Sequence, residues 1–95
     1  MEFQLRNYRI ADGKLDQFVD EWRRHVLPLR KKMGFTVVGP WVSRDENRFV
    51  WVVGCDGDLR FEDKRYYESD ERKEIEPDPA RLVVDSANLW LEETI

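Results

Sequence analysis

RFVWVVGCD, Arg48 to Asp56, holds five consecutive apolar residues, Phe49-Val50-Trp51-Val52-Val53. β-branched and aromatic side chains in so short a run predict a strand. Successive strand side chains point to opposite faces of a sheet. A half-buried strand alternates apolar with polar, and this one does not. Both of its faces are therefore expected to be covered.

The segments on either side say what kind of sheet this is. FTVVGPWVS (35–43) precedes it, joined by Arg44-Asp45-Glu46-Asn47, and the pair reads as a hairpin. Pro40 has no N–H for a ladder, so its strand belongs at an edge or carries a bulge. Further upstream, FQLRNYRI (3–10) is a strand that stops at Ala11-Asp12-Gly13. Asp12 or Gly13 then opens a helix. Leu15, Phe18, Val19, Trp22, Val26, Leu29 and Met33 form its apolar stripe. Arg30, Lys31 and Lys32 fall in the last turn, where cations suit the helix dipole, and Gly34 is the stop. Pro28 interrupts this pattern. It offers no N–H to the Arg24 carbonyl and its ring clashes there, so a bend or loosening is expected between the two.

Downstream, Asp58 is the expected N-cap of a helix over LRFEDKRYYES. Ser69 is a second cap, followed by Asp70 and Glu71, with Ile75 as the apolar anchor of a short turn. Pro77 and Pro79 end it. Residues 81–91 read as an interrupted strand, with a bulge or turn expected around Asp85, Ser86 and Asn88. The order is β-α-β-β-α-β over one α+β domain, residues 1–95. This is the ferredoxin-like arrangement: a four-stranded antiparallel sheet with its helices on one face. The other face is then bare, and the doubly apolar strand 49–53 runs through it. With no further chain to cover it, the expected partner is a second copy, giving a homodimer sheet to sheet.

Composition narrows the function classes. The chain is 41% hydrophobic and 38% charged, with a net charge of −4. Four Trp, five Phe and three Tyr argue for a packed core despite the charge. An acidic chain without a basic stripe does not suggest a nucleic-acid partner. Cys55 is the single cysteine, so no intrachain disulfide can form, which fits a reducing, cytoplasmic setting. The opening MEFQLR lacks the basic start and apolar run of a signal peptide, and no stretch has the length of a membrane span. There is no Gly-rich phosphate loop, no cysteine cluster and no Ser-His-Asp ordering.

Read in order, the chain has a family likeness. Leu5-Arg6-Asn7-Tyr8 is followed by Gly13-Lys14-Leu15, Phe18, Trp22, His25-Val26-Leu27-Pro28-Leu29 and Gly34-Phe35. Gly39, Trp41, Phe49-Val50-Trp51 and Tyr67-Glu68-Ser69 continue the series. The chain resembles the NIPSNAP-type family of the dimeric α/β barrel superfamily, from about residue 3 to about residue 76. The resemblance implies a dimer with a small-molecule cleft between sheet and helices in each subunit. It implies no single reaction: the superfamily includes cofactor-free monooxygenases, lactone isomerases, haem enzymes and ligand-binding proteins. Fold likeness does not assign activity. The chain departs from the pattern after Ser69, where a proline and a tryptophan are expected and Asp70-Glu71-Arg72 stand instead.

The candidate residues follow from that cleft. His25 sits at the edge of the apolar stripe and is the one side chain whose ordinary pKa lies near neutrality, so it is the candidate proton acceptor. The alternative is a histidine that packs on one side and meets water on the other. Tyr8 and Arg6 share one side of their strand, opposite Phe3 and Leu5. Parity leaves open whether that side faces the helices or a second subunit. Trp22, Trp41 and Trp51 are candidate walls with one N–H donor each, and Tyr67 or Tyr66 could supply a hydroxyl from the second helix. Glu62 and Asp63 read as solvated surface, and Cys55 as a small buried residue. No metal site and no cofactor are expected. Two functions compete. One is binding of an apolar or aromatic molecule in the cleft, with cofactor-independent monooxygenation or isomerisation as its enzymatic form. The other is a non-catalytic accessory module that uses its charged helices and the acidic segment 69–78 to contact another protein.

Overall fold

The computed structural model describes residues 1–95. Strand β1 spans Glu2–Ile10 and helix α1 Leu15–Glu21. A π-helical turn, Trp22–Val26, leads into α2, Leu27–Lys32. Strands β2 (Thr36–Ser43) and β3 (Arg48–Cys55) form the hairpin. Helices α3 (Leu59–Glu68) and α4 (Asp70–Lys73), a 3-10 turn (Pro79–Leu82) and β4 (Val83–Leu91) complete the chain. The sheet order is β2-β3-β1-β4 and every pairing is antiparallel. This is the ferredoxin-like topology.

Strand β3 divides its side chains as its composition demands. Phe49, Trp51, Val53 and Cys55 are buried toward the helices, while Val50 and Val52 are half-buried on the opposite face. The core joins two helical rings to two strand rings. Phe18 meets Phe49 edge-on at 4.8 Å, and Trp22 lies 5.0 Å from Phe49 and 5.2 Å from Trp51. On the outer face Leu5 pairs with Val52 and Leu89, and Val38 pairs with Val52 across the hairpin. No helix is long and apolar enough to cross a membrane.

Pro28 is accommodated by the π turn just before it. The Leu27 N–H reaches back five residues to the Trp22 carbonyl, and Pro28 then sits in the first turn of α2. Proline is tolerated in a first turn because its missing N–H has no partner to lose. The widened turn changes the helical phase after Trp22. Both Leu29 and Arg30 now face inward, and Arg30 is fully buried at 0% exposure. Arg30, expected only as one of three cations of the last helical turn, is thus part of the interior.

Two more local expectations change. α1 begins at Leu15 after Lys14, without a side-chain cap from Asp12. β4 runs without a break through Asp85, Ser86 and Asn88, and the register shift falls earlier, opposite Arg9 and Ile10. As an edge strand β4 needs only one ladder, and Ser86 and Asn88 pair opposite Tyr8 and Arg6 instead of interrupting it. Other signals hold. Asp58 caps α3 by accepting from the Arg60 and Phe61 N–H groups, and Ser69 caps α4 by accepting from Arg72. Pro40 lies on edge strand β2, within the register shift between Val38 and Trp41.

Candidate functional site

A cavity of about 400 Å³ opens between the inner face of the sheet and the helices. Strand β1 contributes Arg6 and Tyr8, and β3 contributes Trp51. Their neighbours across the ladder on β4, Asn88 and Ser86, extend the same surface. Phe18, Trp22 and Val26 line it from the first helix, Asp63, Tyr66 and Tyr67 from α3, and Arg72 from α4. The parity left open on β1 is thus resolved: Arg6 and Tyr8 face the helices.

Arg6, Tyr8, Trp22, Trp51 and Tyr67 come together here. Tyr66 and Tyr67 both line the cavity, Tyr66 at 0% exposure and Tyr67 at 43%. Two other candidates lie elsewhere. His25 lines a shallow outer groove with Pro28, Lys32 and Glu71. Within the π turn Trp22 and Val26 take the inward positions, and His25 is left half-exposed between them. Trp41 is on the outer face of the sheet, paired with Val50 and 55% exposed. The cause is the bulge at Gly39-Pro40. Val37 pairs with Val53 on the inner side, but the extra residue shifts the register so that Trp41 pairs with Val50. An inserted residue reverses every later side chain.

The polar structure of the site was not legible as such. Asp63, expected in solvent, is the hub. Its Oδ1 accepts from Arg30 Nη1 at 2.8 Å and its Oδ2 from Arg6 Nη2 at 3.0 Å. Arg6 also donates through Nε to Gln4 Oε1 at 3.0 Å and through Nη1 to the Tyr67 hydroxyl at 3.4 Å. Arg30 stacks on the Tyr66 ring at 3.7 Å and lies over Phe35 at 4.7 Å. At the other side of the cavity Arg72 donates to Asp78 Oδ1 at 2.9 Å. Spacing contained a partial signal. Asp63 follows Leu59 by four and Arg30 follows Val26 by four, which places each one turn beyond a buried residue. Arg72 follows its cap Ser69 by three and turns in with the short helix.

The charges do not balance. Arg6, Arg30 and Arg72 are all buried, and Asp63 and Asp78 are their carboxylate partners. One guanidinium charge is in excess beside the cavity of a chain whose net charge is −4. Burial works against the Arg6 and Arg72 charges, but their neighbours prevail and hold both guanidiniums above the ordinary arginine value. Those neighbours are the Tyr8 phenol and Asp63 for Arg6, and Asp78 for Arg72. Burial and the nearby Tyr67 push the Tyr8 phenol up, with Arg6 opposing, so Tyr8 is a neutral donor at neutral pH. Burial also pushes the Cys55 thiol up, and the surrounding carboxylates add to this, which leaves it unreactive. Two cavity-lining residues carry a buried N–H without a partner in the chain, Trp22 Nε1 and Arg72 Nε, and Trp51 Nε1 has only the Tyr8 hydroxyl beside it. No group of three or more His, Cys, Asp or Glu is arranged to hold a metal ion.

Comparison with known proteins agrees with this architecture. The NIPSNAP family model matches residues 3–48. An uncharacterized NIPSNAP domain protein from Burkholderia xenovorans superposes with a TM-score of 0.84 at 18% identity, over 98% of this chain and 94% of that one. A NIPSNAP family protein from Agrobacterium tumefaciens gives the same TM-score and identity over 98% and 92%. A putative antibiotic biosynthesis monooxygenase from Nitrosomonas europaea is more distant, with a TM-score of 0.73 at 13% identity, over 98% and 89%. At these identities the likeness is one of fold. No functionally curated protein matches the chain.

Proposed function

We propose that this chain is a NIPSNAP-type protein of the dimeric α/β barrel fold and that it binds a small aromatic molecule between sheet and helices. The observation that carries the reading is the cavity of about 400 Å³ on which Arg6, Tyr8, Trp22, Trp51 and Tyr67 converge. That volume lies within the usual range for small-molecule sites, and the lining follows their habit of apolar walls with a few placed polar groups. Two indole rings and two phenols offer flat surfaces and hydroxyl donors. An accessory module working only through its outer charges needs no such interior.

The experiment is isothermal titration of the protein with naphthoate and with its neutral isostere naphthamide. At least one of the pair binds, and Ser86→Trp, which fills the cavity from β4, abolishes that binding. Absence of binding by both, or binding that Ser86→Trp leaves intact, would overturn the reading.

A second copy completes the assembly by covering the outer sheet face. Leu5, Val38, Trp41, Val50, Val52 and Leu89 form an apolar surface there, with Trp41 and Leu89 more than half exposed. A patch of this kind on a small domain marks an interface. Sedimentation at micromolar concentration that returns a monomer would remove this part of the proposal. The single thiol is buried, which fits action in the reducing cytoplasm.

Catalysis on the bound molecule is the second reading, favoured by the fold shared with the antibiotic biosynthesis monooxygenases. It is weaker because the cavity has no free base. His25 lines a different groove, and both oxygens of Asp63 are engaged by arginines. A substrate that arrives already ionised is the form this site would accept.

A further inference from the structure

We infer that the ligand of this cavity is an anion, an aromatic or similarly flat molecule bearing one carboxylate, and that Arg72 is the residue that selects it. The inference rests on the small-molecule reading above and adds the charge of the molecule.

Three observations lead to it. The first is that the three buried guanidiniums beside the cavity have only two carboxylate partners, Asp63 and Asp78. Arg6 and Arg30 share the single charge of Asp63, buried charge is costly unless fully compensated, and an anionic ligand supplies the missing negative charge. The second is the division of labour between the two arginines that line the cavity. Arg6 is committed, with Gln4, Tyr67 and Asp63 each accepting from a different nitrogen. Arg72, only 7% exposed, has a single carboxylate partner through Nη2, and its buried Nε–H has no partner. The third is the donor surplus. Trp22 Nε1 is likewise buried and unpaired, and Trp51 Nε1 has only the Tyr8 hydroxyl beside it. The Tyr67 oxygen accepts from Arg6, which leaves its own O–H free to donate. Indole and guanidinium nitrogens donate only. The one carboxylate among the lining residues already has each oxygen engaged by an arginine. A ligand for these walls must bring acceptors, and a carboxylate brings the most acceptor capacity on the fewest atoms.

Arg72 owes its place to the segment Ser69-Asp70-Glu71-Arg72. The Ser69 cap starts α4, and one turn later the helix turns the arginine inward over the cavity. A guanidinium at this place recognises charge and offers a planar donor fork that matches a carboxylate.

The test is the relative affinity for naphthoate and naphthamide, measured by isothermal titration at neutral pH and low salt. Probes of this size bind with a dissociation constant of ~1 mM or tighter when they fit. A charge-assisted contact exceeds its neutral counterpart by enough to make naphthoate bind about tenfold more tightly than naphthamide. Arg72→Gln removes most of that preference by weakening naphthoate, and leaves naphthamide within about threefold of the unaltered protein. Arg72→Lys keeps the charge, loses the planar fork and retains a reduced preference. Equal binding of the two probes by the unaltered protein overturns the inference and leaves the small-molecule reading standing. So does a preference that both Arg72 variants, shown folded by circular dichroism, keep in full. Binding of neither probe overturns both readings together. If Arg72→Gln does not fold, the comparison in the unaltered protein and in Arg72→Lys still decides the matter.

Discussion

Replacing Asp63 by Asn is the most informative single perturbation of this protein. Asn is nearly the same shape, but it offers one acceptor oxygen where the carboxylate offers two. Arg6 and Arg30 both depend on those oxygens, at 3.0 and 2.8 Å, and they are 5% and 0% exposed. The substitution therefore strands two buried cations and leaves one of them facing an amide donor. Breaking a buried pair from one side costs about 3–5 kcal/mol. The Asp63 side chain is 24% exposed, so water moderates the loss and about 3 kcal/mol is expected. A chain of this length has a total stability of about 5–14 kcal/mol, so the change is a large share of it. In urea, with an m-value of about 1–1.5 kcal/mol per molar, the midpoint falls by about 2–3 M. The assay is equilibrium unfolding followed by circular dichroism and tryptophan fluorescence, at one fixed protein concentration. Arg30→Met supplies the control. It removes a buried charge, keeps the apolar stem and leaves Asp63 paired with Arg6, so it costs less than half as much. The double variant is more stable than the sum of the two single losses implies, because the single amide oxygen then has one cation fewer to satisfy. An Asp63→Asn protein within about 1 kcal/mol of the original would refute the reasoning, since it would mean the hub is screened by water like a surface pair.

Two other consequences follow from the packing. The Arg81 hydrogen bond holds the Glu21 carboxyl below its ordinary value of 4.5, burial opposes this, and Gln17 adds to it. A carboxyl lowered in the folded state contributes stability above its unfolded pKa and loses it as pH falls through the folded one. Glu21→Gln should therefore flatten the acid limb of a stability–pH profile, and an unchanged slope would remove Glu21 from the account. At Gly54 an added Cβ would lie 2.5 Å from Phe3 Cδ1 and 3.0 Å from the Glu2 carbonyl oxygen. Gly54→Ala should lose about 1–3 kcal/mol through overpacking, with part recovered by adding Phe3→Ala. A fully stable Gly54→Ala protein would show that the strand pair is looser than its geometry implies.

Local patterns carried most of the fold. The doubly apolar run Phe49–Val53, the caps Asp58 and Ser69 and the breaks at Gly34 and Pro77 act within a few residues of themselves. Period and capping chemistry therefore place the elements without reference to the rest of the chain. Element order then leads to the ferredoxin-like topology, and the even positions of β1, Arg6 and Tyr8, share a face by parity alone. Which face that is, and which residues join them, depends on contacts between distant parts of the chain. Arg30 and Asp63 are 33 residues apart, and Arg6 and Tyr67 are 61 apart. Two local irregularities then overrule simple counting. The π turn at Trp22–Val26 accompanies Arg30's inward position and His25's half-exposed one, and the bulge at Gly39-Pro40 turns Trp41 to the outer face. Periodicity is only as good as an unbroken count. One extra residue in a helix or ladder changes the direction of every side chain after it, and whether the chain takes that extra residue is decided by the packing it permits. Sequence alone thus determined the elements, their order and the supply of aromatic and cationic groups. Tertiary structure decided that Arg6, Asp63 and Arg72 face one cavity, because only folding brings those three segments to the same place.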